Sequence, residues 1–179
     1  MDISKIKANE IDTAYGLEIG DPNAPVKVLE FINLQCPFCK KWHNESKELL
    51  AKYVEEGKVQ HIIKHYNKET PHLVKGNVIH RYLDYSNPKA ALEEMDYFFE
   101  KQDEWGTLEN LDDVAAYVEE KRGLKVQSNE KEIEGIIEEA VRANIEFVPT
   151  VFIGEAIFDE HITVDELKTL IEDKLKKAH

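Results

Sequence analysis

Val26-Lys27-Val28-Leu29-Glu30-Phe31-Ile32-Asn33-Leu34-Gln35-Cys36-Pro37-Phe38-Cys39 decides the fold. From Val26 to Leu34 it is a nearly continuous apolar run, rich in β-branched and aromatic side chains, as a strand covered on both faces requires. Asp21-Pro22-Asn23-Ala24-Pro25 in front of it is turn chemistry. The stretch ends in a C-x-x-C that holds the only two cysteines of the chain. A helix is expected from about Cys36 to Val54, with Trp42, Leu49, Leu50 and Tyr53 on one face and Gly57 as its stop. Val59 to Tyr66 reads as a second strand, which completes a βαβ unit with a right-handed crossover. The cysteines therefore sit where a buried strand hands over to a helix. A helix N-terminus carries partial positive charge and free N–H groups, which favour a thiolate on Cys36. The thiolate is the species that attacks a disulfide.

Outward from this unit, residues from about Thr70 to Asn144 carry helical patterning. Helices are expected over Pro71 to Tyr85, from the Asn87 cap to about Glu104, over Leu111 to Lys121 with Gly123 as stop, and from the Ser128 cap to about Asn144. The chain then returns to strands: Thr150 to Ile153, a Gly154-Glu155 turn, and Ala156 to Phe158 as a hairpin. Thr163-Val164-Asp165-Glu166 is a capping box that opens a last helix to about Lys177. A short early strand between Thr13 and Ile19 is also expected. The order is β-α-β, four helices, β-β-α. Neither strand-bearing half has core enough alone, so the strands must share one sheet, with the helical block inserted between them.

That frame, with a C-x-x-C at its first long helix, resembles the thioredoxin fold. A helical insertion between the halves is what the DsbA family adds. The segment Val28 to Cys39 resembles the DsbA-family strand and active site, with acidic Glu30 six positions before Cys36. Phe147-Val148-Pro149-Thr150-Val151-Phe152-Ile153 resembles the family segment that carries a cis-proline opposite the active site. The resemblance implies an α/β thioredoxin-like domain over residues 1–69 and 145–179, and an inserted all-helical subdomain over 70–144. It also implies that the chain is a protein disulfide oxidoreductase. Cys36 would be the exposed nucleophile, and Cys39 the buried partner that resolves a mixed disulfide. Glu30 would be a buried acid managing the Cys39 proton, since an unpartnered carboxylate inside a strand favours its neutral form. Val148 and Pro149, with Pro37 and Phe38, would hold the substrate backbone. The strongly oxidising members carry histidine where this chain has Phe38, so a milder redox poise is expected. The alternative reading is a redox-sensing adaptor of the same fold that holds a partner in its groove.

Composition sets further bounds. The chain has 179 residues, 42% hydrophobic and 33% charged, with formal net charge −13. Nucleic acid is not an expected partner, because phosphate binding needs clustered Lys and Arg. Runs such as Glu93-Glu94, Glu119-Glu120 and Glu138-Glu139 read as solvated helix faces. No stretch has the 18 or so apolar residues of a membrane span. His43 follows Cys39 by four residues, but a fourth ligand is missing for a closed metal site, so no metal is expected. No cofactor is expected either, because the cysteines carry the electrons. The expected partners are protein thiols and disulfides, with a redox recycling partner of unknown identity. Met1-Asp2-Ile3-Ser4-Lys5-Ile6-Lys7 lacks the apolar core of a signal peptide. A cytoplasmic location is expected on that ground, or an extracytoplasmic one if an export signal precedes Met1.

Overall fold

The computed structural model describes residues 1–178. After a single 3-10 turn at Ala8–Glu10, the elements are β1 (Leu17–Ile19), β2 (Val26–Ile32), α1 (Pro37–Glu55), β3 (Val59–His65), α2 (Val74–His80) and α3 (Pro88–Glu100). They continue with α4 (Gln102–Trp105), α5 (Leu111–Arg122), α6 (Glu130–Arg142), β4 (Thr150–Ile153), β5 (Ala156–Phe158) and α7 (Val164–Lys177). All five strands form one sheet in the order β1-β3-β2-β4-β5. β2 and β3 run parallel; the other pairs are antiparallel. This is a thioredoxin-like core with a helical insertion between its βαβ and ββα halves.

The central strand β2 is buried on both faces, and its alternation sorts the core. Val28 and Ile32 of β2, with Ile63, Val151 and Ile153, face Trp42, Leu50 and Tyr53 of α1 and Leu167 and Ile171 of α7. Leu29, Phe31, Ile62 and Phe152 face the other way. Each large apolar side chain fully buried in this way contributes about 1.5–3 kcal/mol. The first cluster runs without a break into Ile79, Met95, Phe98, Phe99 and Trp105 of the insertion. The inserted helices thus share a core with α1.

The structure places α6 apart from the other inserted helices, although the division at residues 144 and 145 had grouped them. Ile136 and Ala140 of α6, followed by Ala143 and Ile145, cover the second face of the sheet against Phe31, Ile62 and Phe152. An apolar stripe records that a helix has a buried face but not which surface it meets. Two other elements are shorter than their patterns. The helix expected over Pro71 to Tyr85 is regular only over Val74–His80. The helix from Asn87 breaks at Lys101, whose φ of −98° and ψ of 18° leave the helical region. The break lets the Trp105 indole N–H donate to Phe98 O at 2.8 Å. The capping box of Thr163 and Glu166 is present. Gly123 ends α5 with φ of 64°, a left-handed turn that glycine adopts without penalty.

Candidate functional site

Cys36 occupies the N-cap position of α1, with Pro37 in the first turn. Both cysteines are free thiols. The Cys36 thiol donates to Val148 O at 3.6 Å, and the Val148–Pro149 peptide is cis. Cys36 had been expected to be exposed, yet it is only 6% accessible, sheltered in part by the Val148 segment. Phe38 beside it is 56% exposed and Phe147 is 55% exposed. Cys39, one turn further into the helix, is fully buried and receives the Asn33 N–H at 3.5 Å.

The two thiols are electrostatically unequal. Cys36 is lowered to about 7, first by the hydrogen bond from Cys39 and then by the N–H groups of Cys39 and Phe38, against the opposing effects of burial and Glu160. Cys39 is held well above the usual thiol range, first by burial and then by the neighbouring Cys36, with Glu30 adding to the effect. One sulfur is poised to ionise near neutral pH, and the other cannot ionise without help.

Glu30 lies on the face of β2 that carries Val28 and Ile32, beneath α1. It was expected to be a lone buried acid. Instead it is paired: His61 Nε2 and Glu30 Oε1 are hydrogen-bonded. In the β2–β3 register Glu30 is opposite Ile63 and Val28 is opposite His61, which puts His61 and Glu30 on one face. His43, four residues after Cys39 on α1, turns its Nε2 to Asp96 Oδ1 at 2.5 Å.

The loop before Cys36 is held by the insertion. Asn33 Nδ2 donates to Tyr66 O and Asn77 Oδ1, while its Oδ1 accepts the Gln35 N–H. Gly76 packs so close to Asn33 that a Cβ there would run into the Asn33 side chain. Gln35 Oε1 accepts the N–H groups of Lys75 and Gly76 at the start of α2. Gln102 Nε2 donates to Leu34 O at 2.7 Å and to Cys36 O at 3.1 Å. Leu34 N–H donates to His80 Nε2 at 3.2 Å, and His80 Nδ1 is 2.6 Å from Asn67 Oδ1, so the proton belongs on Nδ1. None of Asn33, Gln35, His80 and Gln102 stood out in the sequence as site residues. Polar residues in a buried loop were the available signal.

His80 and its neighbour His65 are buried with ring centroids 5.0 Å apart. Burial, and then His43, lowers His65 to about 3; burial, and then His65, holds His80 well below the usual 6.5. In the unfolded chain both take up protons below about pH 6.5 that the fold refuses. Stability should therefore fall with acidification from about 6.5 towards the folded value, by about 1.4 kcal/mol per pH unit for each histidine. Urea midpoints between pH 7 and 4.5 check this, and His65→Gln should remove about half of the histidine slope. A wild-type midpoint flat over that range would contradict the assignment.

Comparison with known proteins agrees with this geometry. The thioredoxin family model described as "Thioredoxin" matches residues 12–173. Disulfide bond formation protein D of Bacillus subtilis (strain 168) is 23% identical over 173 residues, covering 88% of this chain and 76% of that protein. A conserved protein of unknown function from Enterococcus faecalis V583 has a solved structure 52% identical in sequence, with a TM-score of 0.93 over 96% of this chain and 98% of that one. The crystal structure of a periplasmic thioredoxin-like protein from Salmonella enterica serovar Typhimurium matches with a TM-score of 0.67 and 17% identity, over 97% of this chain and 99% of that one. This overturns the cytoplasmic location expected above: the Salmonella protein that shares this fold over 97% of this chain is a periplasmic one. The two cysteines do not decide the compartment, because a redox pair works in either. The chain belongs to the thioredoxin family, among its DsbA-like members.

Proposed function

We propose that this DsbA-like protein is a thiol–disulfide oxidoreductase that exchanges disulfides with protein thiols through Cys36 and Cys39. Thiol–disulfide chemistry through a C-x-x-C pair is supported for the family as a whole. The observation that carries the reading for this chain is the inequality of the two thiols. Cys36 is near its ionisation midpoint at neutral pH, while Cys39 is fully buried and raised.

In the reductive direction the Cys36 thiolate attacks a substrate disulfide, forms a mixed disulfide and releases one substrate thiolate. Cys39 then gives its proton to Glu30 and attacks Cys36 Sγ. The substrate's second thiolate leaves, and the Cys36–Cys39 disulfide forms. Two electrons pass to the substrate. The oxidative direction is the reverse: a substrate thiolate opens the enzyme disulfide at Cys36, and the released Cys39 thiolate takes up a proton. Val148, Pro149, Pro37 and exposed Phe38 are proposed to receive the substrate segment beside Cys36. A second thiol or disulfide protein would recycle the pair.

Dithiol-driven reduction of insulin tests the reading, with turnover expected in wild type and none in Cys36→Ser. Equal rates in the two would overturn it. Phe38→His tests the poise. A histidine donor on the Cys36 thiolate is a charge-assisted bond of about 1.5–3 kcal/mol, which corresponds to about 30–60 mV towards a more oxidising pair. Equilibration with glutathione measures that shift, and the Cys36 midpoint should drop below 7 in the same variant. An unchanged potential would sink the role given to Phe38.

A further inference from the structure

We propose that His61 carries the proton between the buried Glu30 carboxyl and solvent, and so governs each step in which Cys39 gains or loses its proton. This rests on the oxidoreductase reading above and adds to it the missing half of the proton path.

Cys39 and Glu30 are both sealed from water, at 0% and 1% accessibility. Cys39 is also held in its neutral form. Glu30 can accept the Cys39 proton, but a proton left on this sealed carboxyl falls back to the Cys39 sulfur, so the attack by Cys39 goes to completion only as Glu30 passes it on. Its one side-chain hydrogen-bond partner among the described residues is His61. The His61 side chain is 11% exposed, against 2% for Glu30. It opens into a cleft of about 410 Å³ between α1, α3 and the β1 edge.

None of Cys36, Phe38, Val148 and Pro149 lines that cleft, so a bound substrate would leave it open. The charged groups facing it are His43, Lys47, Glu48, Glu55 and Asp96. His43 is already paired with Asp96, which leaves His61 as the histidine that joins the cleft to Glu30. Imidazole has two ring nitrogens, so it can release a proton on one side while it takes one on the other. In the reductive direction the proton passes from Cys39 to Glu30, to His61 and then to water. In the oxidative direction it runs inward along the same groups. No electrons move on this path, and no co-reactant other than water is needed.

An aromatic disulfide that liberates a coloured thiolate separates the steps. The first colour release reads attack by Cys36, and the second reads attack by Cys39. The wild-type second release tests the oxidoreductase reading itself: without it that reading fails, whatever His61 does. His61→Gln keeps a donor for Glu30 but cannot carry a proton. It should leave the first release within about twofold of wild type and slow the second by about 100-fold, the usual size of a lost acid–base group. In His61→Ala, imidazole added to the buffer should enter the cleft and restore the second release in proportion to its concentration. A merely structural histidine would give the opposite pattern, with His61→Gln as fast as wild type and His61→Ala insensitive to imidazole. Either of those results overturns the proposal.

Discussion

Cys39→Ser should arrest turnover by roughly 10³-fold or more while leaving the first attack on a disulfide at its wild-type rate. The reason lies in the division of labour between the sulfurs. Cys36 has its own means of ionising: the α1 N-terminus, the N–H groups of Cys39 and Phe38, and a hydrogen bond from residue 39. A serine hydroxyl can still donate that last bond, so the Cys36 midpoint should stay near 7. An ordinary thiol at 9.0 is about 1% ionised at pH 7, whereas Cys36 is about half ionised, a roughly fiftyfold gain in nucleophile. Serine cannot break the mixed disulfide that follows, and the buried position admits no external thiol in its place. The variant should therefore accumulate stoichiometric mixed disulfides with its substrates, isolated as dithiol-sensitive adducts on a non-reducing gel. Cys36→Ser should form none, since the raised and buried Cys39 has no route to a substrate disulfide. Adducts of equal yield from the two variants would assign the nucleophile wrongly.

The parts of this site differ in how far the chain alone reveals them. The strand, the C-x-x-C and the α1 start are local facts of composition and period, and Val26 to Cys39 states all three. Glu30 was visible as a carboxylate in an apolar run. Its partner was not, because His61 becomes a neighbour only through the parallel register that sets Val28 opposite His61. The same holds for Asn33 with Asn77 and for Leu34 with His80, pairs 44 and 46 residues apart in sequence. Such contacts depend on where α2 docks, and α2 docks where Gln35 caps it. The helices of the insertion had recognisable caps and stops. That α6 covers the second face of the sheet while α2 to α5 extend the first is a tertiary choice, and the stripes on those helices are compatible with either.

That second face holds the largest stability effect expected in the molecule. Lys64, the last but one residue of β3, is fully buried and lies 2.7 Å from the equally buried Glu139 of α6. A lysine in a strand is usually a solvated edge charge, but here the alternation that sends Ile63 to α1 sends Lys64 under α6. Its ammonium also donates to Tyr15 O at 2.6 Å, and the other Glu139 oxygen accepts the Asp12 N–H at 2.6 Å. The pair thus fastens residues 12 to 15 across the sheet. Lys64→Met strands a carboxylate in an apolar layer and should cost about 3–5 kcal/mol, and Glu139→Leu should cost a similar amount by stranding the ammonium. The double variant removes both charges. The groups it frees, Asp12 N–H and Tyr15 O, belong to residues that are not buried and that water can satisfy. It should therefore recover more than half of the summed loss, since replacing a buried pair by apolar side chains is often near neutral. Urea unfolding of the four chains gives the cycle. Single variants within about 1 kcal/mol of wild type would show that the pair is not desolvated in solution, and additive losses would show that the two charges do not depend on each other. The cysteines lie beyond the sheet from this pair, so disulfide exchange by the folded double variant should match wild type. Stability and redox chemistry would then belong to opposite faces of the same five strands.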